Sequence, residues 1–272
     1  MQRIIAHMLD FSFSFLERTG SCLISMCAGL GDWCRFVWDS LQWSVRKPFR
    51  ADQVLKQMEF VGVKSIWIIA LTSFFTGAVF ALQTGKVYAL FNMESMVGAT
   101  VAMSLAREIA PVFTAIMITA RACSSMAAEL GTMRVTEQID ALETMAVSPL
   151  QYLVVPRIIA CSVMVPMLTM VYNYIGVVGS YIVSIYLLGI DAGPFFGRMY
   201  YYVDADDIYG GLIKAAIFGF LIAAISCYMG FNTRGGAKGV GRATTRAVVF
   251  SAVTVLVTDY FLTTWIIEYI SK

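Results

Sequence analysis

The sequence predicts an all-α membrane protein: an N-terminal interfacial helix, five transmembrane helices and one short helix on the cytoplasmic side. Three observations carry this prediction. Hydrophobic residues make up 58% of the chain and charged residues only 14%, against roughly 25% charged in an ordinary soluble domain. The apolar residues are gathered into blocks long enough to cross ~30 Å of hydrocarbon as helices. The polar connections between the blocks alternate in charge sign along the chain.

Residues 1–50 form an amphipathic N-terminal region. Charges recur at Arg3, Asp10, Glu17, Arg18, Asp32, Arg35 and Asp39, and Trp33, Trp38 and Trp43 are spaced along its second half. Tryptophan favours the head-group layer, so one or two helices lying in the interface are expected. "RKPFR" (46–50) is a basic break before the main domain, 51–272. Span one is expected at about 61–86, with an uncharged core, "SIWIIALTSFFTGAVFALQTG", between Lys64 and Lys86. Span two is expected at about 94–121. Span three is expected at about 158–190, long enough to tilt or project, with Pro166, Gly176, Gly179 and Gly189 allowing bends and close packing. Spans four and five are expected at about 211–231 and 247–267.

Segment 46–64 and loop 232–246 are basic, whereas 191–210 carries Asp191, Asp204, Asp206 and Asp207 against Arg198 alone. Positive loops stay in the cytoplasm. The expected N-terminus is therefore cytoplasmic and the C-terminus external, with "DAGPFFGRMYYYVDADD" a short helical excursion on the outer side.

Within loop 122–157, Thr136 is a candidate N-cap and Pro149 a stop, predicting a helix over 136–146. Ile139, Leu142 and Ala146 form one apolar stripe and Glu137, Asp140 and Glu143 the opposite face. That acidic face argues for docking on a cytoplasmic protein rather than on an anionic membrane surface.

Other chemistries find little support. The six cysteines (Cys22, Cys27, Cys34, Cys123, Cys161 and Cys227) are scattered without a CxxC, and His7 has no ligand set around it, so neither a metal site nor a disulfide framework is expected. Basic residues do not interleave with aromatics as nucleic-acid binding requires. No GxxxxGK[ST] loop is present, and "GGAKGVG" (235–241) reads as a tight connection, so no ATP site is expected in this chain. The N-terminus lacks the pattern of a removable signal peptide. Nor is any nucleophile–base set of a lipid-processing enzyme apparent.

The charged pair Arg107–Glu108, followed by Pro111, interrupts the middle of span two. A charge at the bilayer centre costs at least ~2.5–3.5 kcal/mol, so such residues face a bundle interior or a wet cavity. Pro111 is expected to loosen the helix and free the carbonyl of Arg107. Asp259, inside span five, is expected as the buried partner of a hydroxyl, an arginine or a helix end, with no second carboxylate of a relay beside it.

The segments "LAREIAPV", "RACSSMAAELGTMRVTEQIDALETMAVSPLQYLVVPR" and "GGAKGVGRATTRAVVFSAVTVLVTDYFLT" resemble the signature segments of the MlaE-type permease family, the membrane subunits of MCE-associated phospholipid ABC transporters. The resemblance covers roughly residues 50–267. It implies a homodimer in a bacterial inner membrane, a cytoplasmic ABC ATPase that holds the ATP and Mg, in some systems a STAS-domain subunit, and a periplasmic MCE-domain hexamer. The absence of a Ser- and Arg-rich transit segment favours a bacterium over a plastid. The resemblance implies a phospholipid pocket at the dimer interface, lined by Phe80 and Gln83 of span one and by Arg107 and Glu108 of span two. It also implies an ATPase-coupling region at Glu129, Arg134, Glu137, Ile139, Asp140 and Leu142. Together these imply lipid movement between inner and outer membranes that maintains outer-membrane asymmetry. The alternative is an ion-coupled secondary transporter using Glu108 and Asp259, although no inverted repeat is visible.

The charge pattern yields a topology test. A cysteine beside Lys238 should be protected from an impermeant thiol reagent in cells with a permeabilised outer membrane, and one placed after Lys272 should be labelled. The reverse pattern would mean that the span count is wrong by one.

Overall fold

A computed structural model of the chain describes residues 21, 24, 27–44, 46 and 50–269. Arg3, His7, Asp10, Glu17, Arg18, Cys22 and Lys272 lie outside the described residues. Helix α1 (27–44) packs Phe36 against the rings of Tyr228 and Phe231, at centroid separations of 5.5 and 5.7 Å. Trp33 is partly buried against the same core, and Trp38 is exposed.

Five helices are long and apolar enough to cross a membrane, and no strand occurs among the described residues. The first begins as the amphipathic α2 (Ala51–Val61), turns at Gly62 through a 3₁₀ turn (Val63–Ser65) and continues as α3 (Ile66–Ala89). Helix α4 runs over Glu94–Val135, the short α5 over Gln138–Thr144 and α6 over Leu150–Tyr186. Helix α7 (Ala192–Tyr202) is the anticipated excursion, anchored by the fully buried Phe195, whose ring lies where a Cβ on Gly98 would sit. Helices α8 (Ala205–Phe231) and α9 (Gly236–Tyr269) complete the bundle. The tight link before α9 uses left-handed backbone at Gly235 and Gly236 (φ 93° and 65°), a conformation that glycine adopts without strain.

Several helices outrun their expected spans, because hydropathy marks only the apolar part of a helix. Span two was expected to end at 121, but α4 continues to Val135. The residues beyond Arg121, "ACSSMAAELGTMRV", contain no proline and are rich in helix formers. Span three starts at Leu150 rather than 158 and ends at Tyr186 rather than 190. Spans four and five likewise begin earlier, at Ala205 and Gly236. The expected helix at 136–146 is shorter. The hydroxyl of Thr136 donates to the Thr132 carbonyl, so Thr136 closes α4 instead of capping α5. Glu137 takes that N-cap position with φ 59°, and Ala146 (φ 57°) ends the segment before Pro149 is reached.

Helices α4, α6 and α8 form the centre, each with 56% of its most apolar stretch buried; α3 (33%) and α9 (17%) flank them. The α3–α6 contact depends on glycine. A Cβ on Gly77 would fall on the backbone carbonyl of Gly176, and beside it Ser73 Oγ donates to the Tyr172 carbonyl. Small residues let helices approach closely where lipid supplies no hydrophobic drive for association.

Gly77→Val should therefore force α3 and α6 apart and cost about 3 kcal/mol. Gly193→Ala, with nothing within 4 Å of the new Cβ, should stay within about 0.5 kcal/mol of the parent. Thermal unfolding of the purified protein in detergent checks both, and equal melting temperatures would contradict the glycine-dependent packing.

Candidate functional site

The site is built on an irregularity of α4. Residues Leu105–Ile109 form a π-turn, in which the Ala110 N–H bonds to the Leu105 carbonyl. Pro111 explains it: the ring has no N–H to give to the Arg107 carbonyl and would clash with that carbonyl in a regular helix. The carbonyl, freed as expected, accepts a 3.1 Å hydrogen bond from Lys214 Nζ of α8.

Lys214 is the centre of the arrangement. Its ammonium lies 2.8 Å from Glu108 Oε2, 2.6 Å from Thr263 Oγ1 and 3.5 Å from Asp259 Oδ1. Three protons serve the carbonyl, Glu108 and Thr263; Asp259 Oδ1 makes no hydrogen bond and is held by charge alone. Arg107 turns the other way, and its Nε donates to Asp207 Oδ1 at 2.6 Å. Asp207 also closes the capping box that starts α8, so one carboxylate orders a helix end and pairs with a cation. Asp207, Gly211 and Lys214 recur at i, i+4 and i+7 and so share one face of α8. A Cβ on Gly211 would meet the Ala106 carbonyl, so only glycine allows α8 this close to the π-turn.

Two cations and three carboxylates leave the group one formal negative charge. Lys214 is 2% exposed and Asp207 8%, whereas Arg107 and Glu108 are 43% and 40% exposed. The cluster thus has a buried floor and an open rim. Arg107 and Glu108 do not pair with each other; each is tied to a different part of α8.

Of the four expected pocket residues, only Arg107 and Glu108 meet in this cluster. Gln83 lies on the exposed side of α3 and Phe80 is half-buried; no hydrogen bond or ion pair links either to the cluster among the described residues. Asp259 is a charge partner within the bundle, but only partly buried at 20% exposure; its partner is a lysine, and it shares that lysine with a second carboxylate, Glu108, against the expectation that none stood beside it. Sequence reasoning missed Lys214 and Asp207. Lys214 is the sole charge in 208–231, and a lone charge in such a stretch is signal enough. Asp207 reads in sequence as one of the acidic residues of the outer loop, but it lies in the first turn of α8.

At the other end, Arg134 pairs with Asp140 and so ties α5 to the last turn of α4. Glu129 pairs with the buried Arg157 at 2.9 Å. Ile139 is fully buried and Leu142 partly so, both against the bundle itself. The apolar stripe expected to meet a partner is therefore largely used within the chain. Glu137, Asp140 and Glu143 remain outward, with Met145 beside them 73% exposed.

Comparison with known proteins follows the same boundaries. The profile of the family described as "Permease MlaE" matches residues 54–265. A "Probable ABC transporter permease protein" of Rickettsia felis is 40% identical over 244 residues, covering 90% of this chain and 94% of that protein. A "Probable ABC transporter permease protein" of Synechocystis is 41% identical over 208 residues, covering 76% and 79%. The "Intermembrane phospholipid transport system permease protein MlaE" of Haemophilus influenzae is 38% identical over 220 residues, covering 80% and 84%.

Removing the buried cation should cost more than removing a rim carboxylate. Lys214→Met strands Glu108, Asp259 and a carbonyl, and should cost about 3–5 kcal/mol. Glu108→Gln, at a half-exposed and screened position, should cost about 1 kcal/mol. Melting temperatures of the two variants in detergent check the order; equal losses would mean that Lys214 does not organise the cluster.

Proposed function

The chain belongs to the MlaE permease family and is the multi-pass permease subunit of an ABC transporter; from that premise we propose that it moves phospholipid between two membranes, energised by ATP hydrolysis on a separate subunit. The observation that carries this reading is the family match over residues 54–265, which takes in nearly all of the five spans. The relative from Haemophilus influenzae is described as an intermembrane phospholipid permease.

The cluster's chemistry agrees with that reading. A phospholipid needs apolar walls for its chains and a polar spot for its head group. Arg107 uses Nε on Asp207, which leaves its terminal nitrogens for a phosphate, and Glu108 offers a carboxylate to a head-group amine. Exposed Phe75, Val79 and Val87 continue the apolar surface of α3 around Gln83. In this proposal two copies of the chain enclose the lipid, with Phe80 and Gln83 on the facing wall. The acidic face of α5 meets the ATPase, with or without a STAS-domain subunit, and an MCE-domain hexamer adjoins the acidic end.

Reconstitution tests the proposal. With its ATPase and MCE partners in proteoliposomes, the permease should transfer labelled phospholipid only when ATP is hydrolysed. Transfer driven by a proton gradient without the ATPase would instead favour the ion-coupled reading through Glu108 and Asp259. For coupling, Glu143→Lys reverses an exposed charge without touching the core, and should lower ATPase co-purification several-fold while leaving the melting temperature unchanged. Leu142→Arg should lower that temperature, because Leu142 packs inward. Undiminished co-purification of Glu143→Lys would remove α5's acidic face from the interface.

A further inference from the structure

The first three turns of α9 present cations that the rest of the described structure does not use. Lys238, Arg242 and Arg246 are exposed, and none has an ion pair or hydrogen bond among the described residues. With Gly241 and Thr245 they line an open recess of about 490 Å³. The Thr245 hydroxyl is already committed to the Gly241 carbonyl at 3.1 Å, so the free donors are the three cationic side chains.

The same face of α9 continues without a break into apolar surface. At 100° per residue, Lys238, Arg242, Arg246, Val249, Val253, Leu256, Val257 and Tyr260 all fall within about 100° of arc. The last five are each more than half exposed. Residues 247–258 carry no charge. From Arg246 to Leu256 the helix rises about 15 Å, half the ~30 Å of bilayer hydrocarbon. A cationic head and a single-leaflet apolar tail therefore lie on one stripe.

We propose that this stripe is a binding site for one anionic phospholipid of the leaflet at the basic end, its phosphate among Lys238, Arg242 and Arg246 and an acyl chain along Val249–Leu256. An acidic soluble protein would match the first nine residues of the stripe and leave the rest unmatched. Guanidinium groups suit phosphate oxygens because they can bind two at once, and basic groups at a membrane-entry level attract anionic lipid. The phosphate end at Arg246 lies about 20 Å along α9 from Asp259, so the cations are separate from the Lys214 cluster and the site stands whatever lipid the permease carries.

A local readout tests it. The full-length protein, with a photo-crosslinking amino acid at Val249, is placed in nanodiscs of equimolar dioleoyl phosphatidylglycerol and dioleoyl phosphatidylcholine, and the lipid adducts are weighed. Phosphatidylglycerol adducts should exceed phosphatidylcholine adducts about tenfold or more, at several-fold per cation. The K238Q/R242Q/R246Q variant should bring the ratio close to one, and R242Q alone, which carries the test if the triple variant does not fold, should lower it several-fold. Lys64→Gln, at the same end but off the stripe, should leave the ratio unchanged, and a crosslinker at Ile213 on α8 should show no preference. Millimolar glycerol phosphate should not reduce the adducts. A ratio near one in the parent, an equal loss in K64Q and R242Q, or displacement by glycerol phosphate would each overturn the site as described.

Discussion

A bilayer offers no water to a polar group that loses its partner, and Lys214 is where this chain meets that constraint most directly. Its ammonium is buried, so its three protons must be satisfied within the protein. They are satisfied by a carbonyl of α4, a carboxylate of α4 and a hydroxyl of α9, with the Asp259 carboxylate of α9 close by. Three helices are thereby fixed to one atom. The packing around it follows: Gly211 must be glycine to let α8 reach the π-turn, and Pro111 must interrupt α4 to release the carbonyl that Lys214 takes. An ordinary helix in place of the π-turn would have no free acceptor to offer.

Pairing charges in this way is a poor route to stability and a good route to specificity of position. A buried ion pair repays little beyond its desolvation, whereas removing one member is severe. The cluster is therefore better understood as a device that sets where Arg107 and Glu108 sit. Both keep two-fifths of their side-chain surface open while their other sides are fixed, through Asp207 and Lys214. Under the proposed function, charges held this way would meet a polar head group at a constant place without swinging into hydrocarbon. The buried members supply the order and the rim supplies the chemistry.

Much of this was legible in the sequence, for physical reasons that also explain what was not. Five apolar blocks and alternating loop charge carry the five spans, because crossing hydrocarbon demands both length and apolarity. The peculiarity of Arg107, Glu108 and Pro111 was visible because charge and proline are costly in such a block. What hydropathy cannot show is how far a helix continues beyond the apolar layer, and α4 and α9 both overrun for that reason. Nor can it show pairing between residues about a hundred apart, such as Arg107 with Asp207 or Glu108 with Lys214. Ile139 and Leu142 show a further limit: periodicity identifies an apolar stripe but not which surface covers it, and here it is the chain's own bundle.

The irregular turns of α4 bear on how its two ends communicate. The helix is continuous from Glu94 to Val135, about 63 Å at 1.5 Å per residue. One end is tied to α5 through Arg134 and Asp140, and the Lys214 cluster lies about 40 Å along the same helix. Two π-turns interrupt it, at Leu105–Ile109 and Thr119–Cys123, and such turns are frequent at functional sites. Each is held to a neighbour by a cation. At the first, Lys214 grips the Arg107 carbonyl. At the second, Arg121 donates to the Phe60 carbonyl at 2.7 Å and to Ser65 Oγ at 2.6 Å, with its guanidinium over the Phe60 ring. Displacement of α5 along the axis of α4 would therefore load two defined joints, the α2–α3 elbow at Arg121 and the α8–α9 pair at Lys214. The helix departs from regular i→i−4 hydrogen bonding at the positions where it is fastened to its neighbours, and those fastenings join it to the α2–α3 elbow and to the α8–α9 pair.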